Sequence, residues 1–144
     1  MLKFPIFIDL AQKHVLIYGG GAVALRRTKT LLQYGAEVTV IAPEFRDEFS
    51  GLQVNLQYRS YQPGERMDAM LVLAATNDPA INCAITEQAR RDGILTNNAS
   101  DHGDCDFYFP AVIQTDELSI GLTGTGENHG AVRDAARKIR EMKL

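Results

Sequence analysis

Tryptophan is absent from this chain, and cysteine occurs only twice. Cys83 and Cys105 are too few and too widely separated in sequence for a disulfide framework. They also lack the paired Cys/His spacing of a structural zinc site, so both read as reduced thiols. No apolar run approaches the roughly 18 residues that a membrane span needs, so no membrane partner is expected. The amino terminus, MLKFPIFIDLAQKH, meets Asp9, Gln12 and Lys13 before a signal-peptide core could develop, and a cytoplasmic protein is the expectation. Positive charge is in short supply too. With 15 Lys+Arg against 18 Asp+Glu the formal net charge is −3, which leaves no basic field for nucleic acid. A small molecule is the expected partner. The remaining composition, 45% hydrophobic and 23% charged over 144 residues, is that of an ordinary globular chain and excludes a disordered polymer or a coiled coil.

The pattern along the chain alternates strand and helix. His14 to Tyr18 is a short apolar run ending in Gly19-Gly20-Gly21, as expected of a buried parallel strand. Val23, Ala24, Thr28, Leu31 and Leu32 then recur at helical spacing, Gly35 is placed to stop the helix, and Glu37 to Ile41 reads as a second strand. Arg26, Arg27 and Lys29 read as a solvated helix face. Leu52 to Tyr58 alternates like an edge strand, whereas Met70 to Ala75 is uniformly apolar and suits the sheet centre. Asp78-Pro79 supplies an N-cap and an N1 proline for a helix with Ile81, Ala84, Ile85, Gln88 and Ala89 on one face, and Ile94 to Asn97 is a further strand. This succession implies an α/β fold, a doubly wound parallel sheet over residues 1–105. From residue 106 to 144 the pattern changes to a β-hairpin, residues 106–113 and 118–122, and one helix with Val132, Ala135, Ala136, Ile139 and Met142 on a stripe. Such a tail cannot bury both its faces alone, which makes it a candidate dimerisation element. His129 reads as a surface residue at that helix start.

Gly19-x-Gly21-x-x-Ala24 is a dinucleotide-binding fingerprint of the G-x-G-x-x-G/A type, set between an apolar strand and an amphipathic helix. The first glycine permits the tight turn, the second lets backbone approach a pyrophosphate, and the small third residue lets helix and strand pack closely. The helix N-terminus adds free N–H groups and partial positive charge. Gly19, Gly20, Gly21, Ala22 and Val23 are therefore candidate cofactor-binding residues. An acid about 20 residues beyond such a motif binds the ribose hydroxyls of NAD, whereas arginine accommodates the phosphate of NADP. Glu44 stands at that distance, after Pro43, so NAD is expected. Thr76 and Asn77, at the end of the central strand, could face the nicotinamide half of a cofactor or serve turn chemistry alone.

Taken in order, these residues resemble the siroheme synthase amino-terminal domain, or precorrin-2 dehydrogenase, family. The likeness rests on Phe4-Pro-Ile-Phe7, the Gly-Gly-Gly-Ala-Val-Ala turn with Leu25-Arg-Arg27, and Gly35 to Pro43. It continues through Ala74-Ala-Thr-Asn-Asp78, Asn98 to Asp101 and Asp106-Phe-Tyr-Phe-Pro110. The resemblance implies a Rossmann-like fold and NAD-dependent oxidation of the tetrapyrrole precorrin-2 to sirohydrochlorin in siroheme biosynthesis. Some members also have ferrochelatase activity. It further implies a homodimer formed through the region after the sheet, pyrophosphate contacts at Ala22 and Val23, adenosine-side contacts at Pro43 and Glu44, and a catalytic aspartate at Asp101. The chain departs from the family in a shortened turn, His102-Gly-Asp-Cys105, and in Gly126-Glu-Asn-His-Gly130 where a Ser-Pro turn is usual. The resemblance also leads one to expect, after the region that ends here at Leu144, a helical domain that helps enclose the tetrapyrrole.

Hydride transfer to NAD asks the protein for orientation and a group that takes the accompanying proton. Asp101, His102, Asp104 and Asp106 cluster where such a group belongs. Asp101 as proton acceptor, as a turn cap, or with His102 and Cys105 as a metal ligand all remain open, and no metal ligand is assigned. Two functions are consistent with these residues: the dehydrogenase, and a non-catalytic NAD-binding module associated with tetrapyrrole biosynthesis.

Overall fold

The computed structural model describes Met1 to Leu144, apart from the side chain of His129. The reading of that histidine as a surface residue therefore lies outside the described residues. The chain divides into two compact units, one of Asp9–Phe107 and one of Met1–Ile8 with Tyr108–Leu144.

In the larger unit five parallel strands, β1 (His14–Tyr18), β2 (Glu37–Ala42), β3 (Asn55–Tyr58), β4 (Leu71–Ala74) and β5 (Leu95–Asn98), lie in the order β3-β2-β1-β4-β5. Helix α1 (Ala22–Gln33) connects β1 to β2, and α2 (Pro79–Arg91) connects β4 to β5. This is the Rossmann-like arrangement. Both crossovers start from the adjacent strands β1 and β4 and run outward in opposite directions, so a crevice opens where they diverge. β4 is buried along its whole length and β1 after His14, while β3 at the edge is partly exposed. Register fixes the carboxyl edge: Tyr18 pairs with Ile41 and with Ala74, Ala42 with Tyr58, and Ala74 with Asn98. The residues that follow each strand, Gly19, Pro43, Arg59, Ala75 and Ala99, consequently emerge along one rim.

The helices depart from simple periodicity for identifiable reasons. α1 buries Ala24, Leu25, Thr28 and Leu31. Arg27 is not part of a solvated face. It is half-buried, donates to Asn97 Oδ1 at 2.6 Å, and burial, with Arg26 nearby, pulls its pKa down to about 10. On α2, Ile85, Gln88 and Ala89 are buried as their spacing predicts, but Ile81 and Ala84 are exposed while Asn82 and Thr86 are fully buried. The polar pair turns inward because each has partners there. Asn82 bonds to Thr76 and Ser100, and Thr86 donates to Asp104. Buried Gln88 holds the helix-free crossover from β3 to β4, accepting from Tyr61 and from Gly64 N and donating to the Glu65 carbonyl.

After β5 the chain turns back and covers that strand's open edge. Asp106 N–H donates to Thr96 O at 2.8 Å, Thr96 N–H donates to the Asp106 carboxylate at 3.1 Å, and Asn97 Nδ2 donates to Phe107 O at 2.9 Å. Asp104 accepts from Asn98 Nδ2 at 2.9 Å and from Thr86, and Arg90 bridges Asp104 and Asp106 at 3.0 and 3.1 Å. The turn is thus held on both sides.

In the smaller unit β6 (Ala111–Gln114) and β7 (Ser119–Leu122) form an antiparallel hairpin, followed by α3 (His129–Arg140) capped by Asn128. Lys3 Nζ lies 4.7 Å from the Tyr108 ring centroid, which places the amino terminus beside the hairpin. Ala136 is buried, and Val132, Ala135 and Ile139 are half-buried beside it on the stripe. Leu2, Phe4, Ile6 and Phe7 are exposed.

Burial by itself would raise the pKa of Asp104, but the bonds from Thr86, Asn98 and Arg90 outweigh it and hold the carboxyl below the usual carboxylate range. A folded pKa below the unfolded one contributes stability that is complete above the unfolded value and lost as pH falls through the folded value. Wild-type melting temperature is therefore expected to drop on acidification through and below the ordinary carboxylate range. Asp104→Asn should melt lower at neutral pH and show a shallower acid limb. Parallel pH curves for the two proteins would show that this carboxylate contributes nothing to holding the turn.

Candidate dinucleotide site

The glycine turn is built by backbone crowding. A side chain on Gly19, whose φ is +131°, would place its Cβ 2.1 Å from the Ala75 carbonyl oxygen, and a Cβ on Gly20 would lie 2.0 Å from that of Glu44. Neither neighbour can yield, since both are main chain. Gly21 is different: nothing lies within 4 Å of where its Cβ would be. The first two glycines therefore serve the fold, while the third leaves space open at the head of α1. No side chain caps that helix, so its first-turn N–H groups, including those of Ala22 and Val23, are left for an anion. Ala24, the small third residue of the fingerprint, is fully buried where the helix meets the sheet.

The loop after β2 is locked to this turn. Gly19 N–H donates to Ile41 O at 2.9 Å and Arg46 N–H to Gly20 O at 2.9 Å. Phe45 packs edge-on against Phe49 and Tyr58, with ring centroids 5.3 and 4.9 Å apart. This anchoring holds Pro43 and Glu44, both exposed, at the rim.

The third wall is the loop after β4. Thr76 N–H and hydroxyl both donate to Asn82 Oδ1, at 3.0 and 2.6 Å, and Asp78 caps α2 through Ala80 N–H at 2.9 Å. Thr76 thus has its hydroxyl committed to the turn, while Asn77 is exposed. Together these loops enclose an open cleft of about 700 Å³ that contains Gly19, Gly20, Gly21, Pro43, Glu44, Thr76 and Asn77. That volume lies within the range of about 300–1,000 Å³ usual for ligand pockets. An open space at Gly21, uncapped N–H groups and a carboxylate at the rim match the needs of a dinucleotide.

Several cleft residues escaped the sequence reading. Arg59, Ser60 and Tyr61 line the far wall because β3 ends beside β2, and Ile81 faces the cleft from the first turn of α2. The strand order was the missing information for the first three. For Ile81 the available signal was its place three residues after the Asp78 cap, in the first turn of the helix. Tyr18 forms the floor. It is fully buried against Tyr61, ring centroids 5.4 Å apart, and its hydroxyl has no hydrogen-bond partner among the described residues. Burial, reinforced by the nearby Glu65 charge, raises its pKa above the ordinary tyrosine value.

Asp101 follows β5 at the same carboxyl edge but is not among the residues lining the cleft. It is exposed, and its Oδ1 accepts from Gly103 N–H at 2.9 Å, capping a single 3-10 turn, His102–Asp104. Cys105 Sγ accepts from Asn98 N–H at 3.2 Å and lies 3.3 Å from both the Asn98 and Asp101 carbonyl oxygens, which share its single S–H, and burial raises its pKa. Among the described residues no group of three or more His, Cys, Asp or Glu side chains is arranged to hold a metal ion. No helix is long and apolar enough to cross a membrane.

Residues 6–111 match a family model described as "Putative NAD(P)-binding". Over 145 aligned positions the chain is 37% identical to the "Probable multifunctional siroheme biosynthesis protein HemA" of Ruminiclostridium josui, covering 97% of this chain and 28% of that protein. It is 33% identical over 128 positions to a siroheme synthase of Nitrosomonas eutropha, covering 85% of this chain and 27% of that enzyme. The chain thus spans less than a third of the length of these curated relatives. Among solved structures it is similar to the precorrin-2 dehydrogenase SirC, with a TM-score of 0.80 and 26% identity, covering 95% of this chain and 69% of that one.

The glycines can be separated by experiment. Gly20→Ala should lower the melting temperature markedly, because its methyl group meets backbone. Gly21→Asp should melt like the wild type yet lose dinucleotide binding, since a charged side chain then occupies the pyrophosphate space. Calorimetry showing undiminished NAD binding to Gly21→Asp would displace the site from this turn.

Proposed function

This chain belongs to the NAD(P)-binding family matched over residues 6–111, and on that premise we propose that it oxidises precorrin-2 to sirohydrochlorin with NAD as acceptor. The observation that carries the proposal is the conjunction of the cleft at Gly21 with a likeness to a precorrin-2 dehydrogenase over 95% of the chain. The siroheme synthases among its relatives support the same pathway.

In this reading Gly19, Gly20 and Gly21 shape the turn, and the N–H groups of Ala22 and Val23 meet the pyrophosphate. Pro43 and Glu44 take the adenosine side, and the Glu44 carboxylate favours the free 2′-hydroxyl of NAD over the phosphate of NADP. Thr76 and Asn77 border the cofactor on its β4 side. When bound, the nicotinamide supplies the hydride acceptor. The protein's own tasks are then to orient the tetrapyrrole at the carboxyl edge and to receive a proton. Asp101 is the group proposed for that proton. Its capping bond uses Oδ1 alone, and the side chain is exposed to an incoming substrate.

A second reading, a non-catalytic NAD-binding module, is favoured by one specific observation. Asp101 already has a structural task as a cap and stands outside the cleft lining. Anaerobic incubation with precorrin-2 and NAD separates the two, through the appearance of the sirohydrochlorin spectrum. For the enzyme, Asp101→Asn should reduce turnover by about 10²–10⁴ with NAD affinity nearly unchanged. A purely capping role would instead cost about 1 kcal/mol of stability and leave turnover intact in the folded fraction.

The proposal includes a cytoplasmic homodimer assembled through the smaller unit. Its exposed Leu2, Phe4, Ile6 and Phe7, with Leu118 and Met142, supply apolar surface of the kind that association covers. Light scattering at micromolar concentration should give twice the 15.9 kDa chain mass. A monomer mass would rule this assembly out.

A further inference from the structure

The far wall of the cleft carries an arginine whose charge is already matched. Arg59 follows Tyr58 at the end of β3, and its N–H donates to Ala42 O at 3.0 Å, directly before Pro43 and Glu44. An arginine beside the end of the second strand is the group that accepts a ribose 2′-phosphate in this kind of fold. Here all three guanidinium nitrogens are engaged. Nη1 and Nη2 form a paired contact with the Glu65 carboxylate at 3.1 and 2.6 Å, Nε donates to Gln57 Oε1 at 3.1 Å, and Nη1 also reaches Ser60 O at 3.2 Å.

Glu65 is held for this contact from both ends. Its carboxylate accepts from Gln62 N–H at 2.7 Å, and its carbonyl accepts from buried Gln88 of α2. Its side chain is only 15% exposed, against 37% for Arg59. Burial would raise the Glu65 pKa, yet the Arg59 and Gln62 bonds bring it below the ordinary value, so the carboxylate is charged at neutral pH. A paired Arg–carboxylate contact fixes geometry as well as charge.

We propose that Glu65 is a specificity-determining residue, which sequesters Arg59 and thereby denies the cleft a cation for the 2′-phosphate of NADP. This rests on the reading of the cleft as the adenosine site. It adds a second source of selectivity to Glu44. Glu44 repels the phosphate from the rim, while Glu65 withholds the arginine that would receive it. Arg46 also borders the cleft, on the Glu44 loop, and must be distinguished from Arg59 in the test.

The experiment is calorimetric titration of NAD and NADP into the full chain, with thermal melting as the control for folding. Wild type should bind NAD more tightly than NADP. Glu65→Gln keeps the side chain's shape and removes its charge, so NADP should bind about tenfold more tightly than to wild type, as expected for one new bond to a charged group. Its NAD affinity should stay within about twofold, since no new bond to NAD is made. Adding Arg59→Gln to that variant should abolish the gain. Should Glu65→Gln fail to fold, Glu65→Asp, too short to span both nitrogens, is expected to show a smaller gain of the same sign. Folded variants that bind NAD but show no gain for NADP overturn the proposal and leave the cofactor site standing. A gain that survives the double substitution assigns the phosphate to another group, such as Arg46, and overturns it as well. Wild type that binds neither nucleotide overturns the cofactor reading itself, and this inference with it.

Discussion

Main chain meets main chain at the first two glycines, and the rest of the site depends on that contact. With the Ala75 and Glu44 carbonyl oxygens occupying the space where Cβ atoms would lie, the ends of β1, β2 and β4 are drawn close together. The crevice between diverging crossovers is thereby narrowed on the two sides that matter while Gly21 remains clear. The bonds Gly19 N–H to Ile41 O and Arg46 N–H to Gly20 O then hold the loops in place. Substitution at either of the first two glycines would not remove a ligand contact. It would separate the walls that make one.

A second constraint acts on the opposite helix. Asn82, Thr86 and Gln88 are polar residues on the buried face of α2, and each satisfies groups that ordinary helical packing would leave unpaired. Unsatisfied buried polar groups cost about 1–3 kcal/mol apiece, so these side chains decide which way the helix faces. Asn82 ties the loop after β4 to Ser100, Thr86 ties α2 to Asp104, and Gln88 ties it to the crossover that carries Glu65. The cleft wall, the aspartate turn and the charge balance of the far wall are therefore supported from one helix. The exposure of Ile81 at the cleft follows from the same rotation.

Most of the charge near the cleft and beside β5 is matched by a partner. Arg59 meets Glu65, Arg90 meets Asp104 and Asp106, and half-buried Arg27 is bonded to neutral Asn97. Glu44 stands at the rim and has no ion pair among the described residues. In the proposed site an entering pyrophosphate would meet the uncapped N–H groups of α1, with Arg46 at the border of the cleft as the arginine there without an ion pair among the described residues. That suits a binding site in which backbone geometry, not a basic patch, supplies recognition.

What the sequence determined by itself was local and periodic: strand and helix identities, the caps at Asp78 and Gly35, the fingerprint from Gly19 to Ala24, and the change of pattern near residue 106. These are read within one element or across one turn, where spacing alone determines which groups meet. Tertiary structure decided whatever depended on strand order. It brought Arg59 and Tyr61 to the cleft, 40 residues after the glycine turn, because β3 lies beside β2. It turned Asn82 and Thr86 inward against their apolar neighbours, because their partners lie in segments that no helical periodicity encodes. It also joined Arg27 to Asn97 across 70 residues, where a charged helix face had suggested solvent. A hydrophobic pattern states which face of an element will be buried. It cannot state what will be waiting there, and for polar side chains the waiting partner decides the orientation.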